Sequence, residues 1–169
     1  MSKSIIKVWH PDETLDGLSD PSIFLAGPSP RSVEVYSWRP AALDILAKIG
    51  FSGSVFIPER RDWSVGFHYD DQIEWELSGL DAATVIVCWV PRNMEKMPAL
   101  TTNVEFGLYV KSNRLIYGRP PCSPHTRYLD YLYNKFTGRQ PNASLQSTLE
   151  EAVEYSSKMG KSKELCKHG

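Results

Sequence analysis

The chain has 169 residues, 41% of them hydrophobic and 23% charged, with 19 Lys and Arg against 20 Asp and Glu for a formal net charge of -1. That length fits one domain over residues 1–169, since single cores stop growing only beyond ~250 residues. The balanced charge gives no electrostatic basis for a nucleic-acid polymer or a membrane as partner, and 5 Trp, 8 Tyr and 6 Phe need burial, which excludes a disordered chain.

Short apolar runs alternate with helical patterns along the chain. Ile5 to Trp9 is read as an edge strand. Ser22-Ile23-Phe24-Leu25-Ala26 is a strand stopped by Gly27-Pro28. Pro40 suits a first helical turn, and Ala42, Leu43, Ile45, Leu46 and Ile49 keep a helical period until Gly50. Val55-Phe56-Ile57 is a short strand ended by Pro58. From Gln72 to Ala83 a helix is expected with Ile73, Leu77, Leu80 and Ala83 on its buried face. Thr84 to Val90 is almost wholly apolar and rich in β-branched residues, as in a strand covered on both faces. Thr102 to Ser112 is helical, Arg114 to Tyr117 is a strand, and helices are expected over His125–Phe136 and Ser144–Lys158, with 158–169 a frayed basic tail. Strand–helix–strand alternation with short links predicts an α/β fold whose parallel sheet is covered on both sides. Sites in such folds lie at the carboxyl ends of the strands.

Three cysteines without regular spacing argue against a disulfide framework; Cys88 reads as a buried hydrophobe, Cys122 and Cys166 as surface thiols. Met1 to Ile6 has no apolar signal-peptide core, and no run approaches the ~20 apolar residues of a membrane span. A cytoplasmic location is expected. The four histidines show no metal-ligand spacing, and GxSxG, P-loop and HExxH patterns are missing. No metal or organic cofactor is therefore expected.

Three stretches carry chemistry. Gly27-Pro28-Ser29-Pro30-Arg31-Ser32 follows the first strong strand without the glycines of a dinucleotide loop. It is either a solvent-facing turn or a stiff loop in which Arg31 meets a phosphate or carboxylate. Thr102-x-x-Glu105 matches a capping box, in which Glu105 serves only the helix end. Alternatively, a carboxylate in a first turn stays ionised beside the helix dipole, as a nucleophile requires. Glu76, with Glu74 and Gln72 nearby, is either a solvated helix residue or the second carboxyl that glycosidic chemistry needs. Trp63, in the long loop after the second of these strands, is placed to stack on a planar base.

Phe24-Leu25-Ala26-Gly27-Pro28, Gln72-x-x-Trp75-Glu76, Trp89-Val90-Pro91-Arg92 and Leu100-Thr101-Thr102-Asn103-Val104-Glu105-Phe106-Gly107 together resemble the nucleoside 2-deoxyribosyltransferase-like family. The resemblance runs from about Ser22 to Pro120. It implies a flavodoxin-like or Rossmann-like three-layer sandwich with a five-stranded parallel sheet. It also implies cleavage of the bond between a (2′-deoxy)ribose and a base, so that the partner is a nucleoside or nucleotide. Glu105 falls at the family's nucleophile, Glu76 at the acid on the preceding helix, and Gly27, Pro28, Ser29 and Arg31 at the loop that holds the sugar or its 5′ substituent; Asn103 lies in the nucleophile's motif. Asp81 is a second acid near Glu76.

The chain departs from the family at Ala99-Leu100-Thr101-Thr102, where an Asp-Gly or Asp-Ser-Gly run is usual, and at Glu76, where Asp is commoner. Ser29 and Arg31 are similar to the serine and arginine of sister enzymes that hydrolyse nucleoside 5′-monophosphates. Family members complete their sites with residues from a neighbouring subunit, so a homo-oligomer is expected, with Tyr128 to Tyr133 and the C-terminal helix as contact pieces.

Overall fold

The computed structural model describes residues 5–62, 66 and 68–165. Five strands, β1 (Ile6–Trp9), β2 (Ser22–Ala26), β3 (Gly53–Phe56), β4 (Val85–Trp89) and β5 (Leu115–Gly118), form one sheet of order β1-β3-β2-β4-β5 in which every pairing is parallel. The helices are α1 (Arg39–Lys48), α2 (Tyr69–Ala82), α3 (Leu100–Tyr109), α4 (Arg127–Thr137) and α5 (Leu145–Leu165), with a 3-10 turn over Val110–Ser112. The flavodoxin-like or Rossmann-like sandwich expected from the sequence is what the chain adopts.

Alternation along each strand divides the core into two layers. Ile23, Leu25, Val55, Val85, Val87 and Ile116 point to one face, where Ala42 and Leu46 of α1 and Leu149 and Ala152 of α5 cover them. Phe24, Phe56, Ile86, Cys88, Leu115 and Tyr117 point to the other, under α2, α3 and α4. Two aromatic clusters weld that second layer to the sheet. Trp75 of α2 sits on Phe24 and Phe56 with ring centroids 6.0–6.4 Å apart, and Phe106 of α3 and Tyr133 of α4 both meet the Tyr117 ring edge-on. Every residue of β2, β3, β4 and β5 is buried, whereas β1 keeps one wet face, as an edge strand does.

Strand order reverses around β2: the crossover through α1 runs to β3 on one side, and the next, through α2, returns to β4 on the other. Such a switch point opens a crevice beyond the carboxyl ends of the two strands that flank it. Links from helix to strand are short, at 83–84 and 113–114, while links from strand to helix are long, at 27–38, 57–68 and 90–99. The spare chain therefore gathers at the crevice end.

Several expectations need correction. On α2 the buried positions are Trp75, Gly79 and Leu80, and the expected face residues Ile73 and Leu77 are 37% and 36% exposed. The helix starts at Tyr69 and turns the stripe 72-75-76-79-80 inward, because Gly79 lets its backbone approach Phe24, whose ring a Cβ would meet at 3.0 Å. α3 starts at Leu100, two residues before the expected Thr102, so Glu105 stands in its second turn. The N-cap is Ala99, in the left-handed region at φ 59°, with no side-chain cap, and the Thr102–Glu105 capping box does not form. α5 runs past the expected end at Lys158 to Leu165. Cys88 is buried and Cys122 exposed, as read from the sequence, while Cys166 lies outside the described residues.

Where β2 ends, the chain passes so close to β4 that a Cβ on Gly27 would lie 2.2 Å from the Trp89 carbonyl oxygen and 2.8 Å from the Trp38 ring, at φ +153°. Gly27→Ala is expected to cost about 3 kcal/mol, combining clash with backbone strain. In thermal unfolding that is a fall of roughly 6–12 °C in midpoint for a chain of this size.

Candidate active site

The crevice at the switch point is a cleft of about 180 Å³. Gly27, Pro28, Ser29 and Arg31 line it from the β2 loop, Pro58 from the β3 loop, Tyr69, Gln72 and Glu76 from α2, and Pro98 to Thr102 with Glu105 from the start of α3. Two carboxyls that the sequence places 29 positions apart, at 76 and 105, thus share one hollow. Gln72 donates to Glu76 Oε1 at 2.8 Å, one turn along α2, and fixes its rotamer.

Glu105 is 9% exposed. Burial, and then the neighbouring Glu76 charge, push its carboxyl up to about 8, with Arg39 pulling the other way. Glu76 is also raised, by burial first, while the Gln72 hydrogen bond and Arg39 hold it down. The dipole-stabilised carboxylate expected from the sequence is therefore replaced by its opposite: burial beyond the first turn outweighs a dipole effect that fades within that turn. The two carboxyls titrate as a pair that holds a proton at neutral pH.

Arg39, the first residue of α1, was not singled out by sequence reasoning. Its side chain is wholly buried. Nε donates to Leu25 O at 3.1 Å, Nη2 to Gly27 O at 2.8 Å, and Nη1 to Ser29 Oγ at 3.1 Å, to Pro28 O at 3.4 Å and to Glu59 Oε1 at 2.5 Å. The guanidinium also lies 4.8 Å from the Trp38 ring centroid, whose Nε1 donates to the same Pro28 carbonyl. Burial depresses its pKa, opposed by Glu59, Glu105 and Glu76 in that order. The Trp38-Arg39-Pro40 string gives one local hint, since Pro40 marks a helix start and thereby fixes Arg39 beside the strand end.

Other expected participants are placed elsewhere. Asn103 is exposed and does not line the cleft; its Oδ1 accepts from Arg92 Nη2, and Arg92 also donates to His125 O at 2.6 Å, tying α3 to the start of α4. Asp81 accepts from Tyr109 Oη at 2.6 Å at the far end of α2 and α3. Glu74 is exposed. Trp63 lies outside the described residues. Among the described residues no group of three His, Cys, Asp or Glu side chains is arranged to hold a metal ion, and no helix is long and apolar enough to cross a membrane.

A doubly wound parallel sheet whose switch-point cleft is lined by two carboxyls, Glu76 and Glu105, defines the class: an α/β protein with a polar site at the carboxyl ends of its strands. Comparison with protein families supplies the particular group: the profile described as "Nucleoside 2-deoxyribosyltransferase like" matches residues 20–121, and the chain belongs to that family. Among curated proteins no match is found. Membership points to N-glycosidic-bond chemistry on nucleosides.

Because Glu105 is held up to about 8 against an ordinary 4.5, it is protonated when folded and ionised when unfolded across that interval. Its contribution therefore lowers stability as pH rises from 4.5 to about 8 and levels off above. Glu105→Gln removes the ionisation. It is expected to match wild type near pH 4.5 and to exceed it by on the order of 2–3 kcal/mol at pH 8, read by urea unfolding at both pH values.

Proposed function

We propose that the protein cleaves the N-glycosidic bond of (2′-deoxy)nucleosides with retention, through a glycosyl ester on Glu105, and transfers the sugar to another base. The observation that carries this reading is the convergence of Glu76 and Glu105 on one cleft at the switch point. Substrate entry lets the Glu105 proton pass to the Glu76 carboxylate. The freed Glu105 oxygen attacks C1′, the C1′–N bond breaks with its electron pair leaving on the base, and Glu76 delivers its proton to that base. In the second half an incoming base gives its N–H proton to Glu76 and attacks C1′, and the ester oxygen departs as the Glu105 carboxylate. Water in place of the base yields free sugar.

A second reading, a nucleoside 5′-monophosphate N-glycosidase, is favoured by one feature of the cleft. Arg31 and Ser29 stand at the mouth of a cleft also lined by Leu100, Thr101 and Thr102, the uncapped first turn of α3, whose free N–H groups favour an anion. An adjoining hollow is lined by Arg31, Ser32, Ser37 and Arg60 together with Glu59, Pro30, Val33 and Val35.

The oligomer belongs to the same proposal. Tyr69, Ile73 and Leu77 on α2 and Leu100, Val104 and Leu108 on α3 are exposed at intervals of four, and Tyr69 and Leu100 also line the cleft. From their fractional exposures they leave roughly 600 Å² uncovered, approaching the ~800 Å² per partner of a stable interface. Apart from Glu105, α3 carries no charged side chain, so the face is compatible with a second copy of itself. Seated there, that copy would close the cleft's open side and shelter the ester. At the expected contact, Tyr128 to Tyr133, Leu129 and Tyr133 belong to this chain's own core and Tyr128 and Tyr131 are exposed, but none of these residues lines the cleft.

Incubation with a deoxynucleoside and a different free base, followed by chromatography, tests the chemistry. Exchange supports transfer, free sugar supports hydrolysis, and binding with no turnover overturns both in favour of a binding module. Glu105→Ala is expected to lower kcat at least 10³-fold and to abolish the covalent adduct; full activity there sinks the mechanism. Arg31→Ala is expected to weaken kcat/KM for a 5′-monophosphate at least tenfold more than for the nucleoside if the second reading holds. In sedimentation, Val104→Glu with Leu108→Glu should give an inactive monomer, whereas a monomeric wild type with full activity would refute the second copy.

A further inference from the structure

We propose that Arg39 is the positioning residue of the cleft: it holds the Gly27–Ser29 wall in place and sets the electrostatic field in which Glu76 and Glu105 work. The inference rests on the reading of those two carboxyls as the reacting pair, but its geometry stands apart from any substrate. Each nitrogen of the guanidinium is engaged, and three of its acceptors are the carbonyls of Leu25, Gly27 and Pro28. These belong to the last turn of chain leaving β2, where the neighbouring strands diverge and ladder partners run out. Buried carbonyls of this kind need donors, and a planar fork supplies several from one side chain.

Satisfying them did not require a charge. A buried cation is costly to desolvate, and among the described residues its ion-pair partner is Glu59, whose Oε1 also accepts from Ser37 Oγ at 2.8 Å. The remaining positive field reaches both carboxyls of the cleft. The groups facing that pair from the surrounding elements are Arg31 on the β2 loop, Tyr69 on α2, Cys88 on β4, whose thiol burial keeps neutral, and Tyr109 on α3. Of these, only Arg31 is a cation, and it is exposed to solvent that screens it. Arg39 is thus a buried counter-charge, fixed behind the Gly27–Ser29 wall, that favours the ionised form of both carboxyls.

The test reads the carboxyls themselves. In protein labelled with ¹³C-carboxyl glutamate, Glu76 and Glu105 are assigned through Glu76→Gln and Glu105→Gln and titrated by NMR. Arg39→Met should raise the Glu105 midpoint by about one pH unit, with the acidic limb of the kcat profile moving with it. Arg39→Lys should keep the midpoint nearer wild type while losing thermal stability, which separates charge from clamp. Glu59→Gln, which leaves Arg39 in place but strips its partner, should move both midpoints down by about half a unit, opposite in sign. Should Arg39→Met fail to fold, Glu59→Gln decides alone. Midpoints that stay at their wild-type positions in folded Glu59→Gln protein overturn the proposal. Because the titration needs no turnover, failure of the glycosyl-transfer reading would show in the exchange assay and leave these midpoints unaffected.

Discussion

A single buried guanidinium ties together the parts of this molecule that the sheet alone leaves loose. At the carboxyl end of β2 the chain leaves for α1 on one face of the sheet while β4 leads to α3 on the other, and the backbone there must find hydrogen-bond partners outside the ladder. Arg39 supplies them. To do so it must sit at the very start of α1, under Trp38 and beside Glu59, and Gly27 must lack a Cβ so that the strand end can pass Trp89. Helix start, glycine, ion pair and cleft wall are one arrangement, and none of them can be altered without disturbing the others.

The carboxyl pair is poised by opposed influences of similar reach. Withdrawal from water and mutual repulsion keep a proton in the cleft, and the cation beneath limits how firmly it is kept. In the glycosyl transfer proposed above, an acid that gives up its proton and takes it back within one cycle works best when neither form is strongly preferred. Glu105, unsupported by a helix cap and close to the sheet, is held by packing: Phe106 beside it is locked against Tyr117, and Thr102 one turn earlier is buried.

Much of this was legible in the sequence, and the reasons for success and failure are physical. Strands buried on both faces leave a continuous apolar signature, so β2 and β4 were found almost to the residue. Glu76 and Glu105, which the resembling motifs pick out, both line the cleft, while the periodicity on α2 misleads: a glycine at 79 and an aromatic at 75 make a buried stripe that also carries polar Gln72 and Glu76, so hydrophobicity alone selects the wrong side. The start of α3 was misread because Thr102-x-x-Glu105 satisfies a capping pattern, whereas the actual cap is an alanine with positive φ, a conformation no sequence rule assigns to alanine. Asn103 sits in the same motif as Glu105, but two positions of helical rotation turn it from the cleft towards Arg92. Arg39 escaped notice because an arginine ahead of a proline reads as surface, and only the tertiary fold brings three carbonyls to meet it.

The unequal lengths of the connections have an evolutionary consequence. Tight turns at one end of the sheet leave little freedom, so the core and the order of its strands are conserved by geometry. At the other end, some ten residues of slack follow each of the three central strands. Insertions, deletions and exchanges there can re-shape what enters the crevice while the two helices that present the carboxyls stay where the sheet puts them. A scaffold divided in this way can diversify what its crevice admits without having to solve its folding problem again.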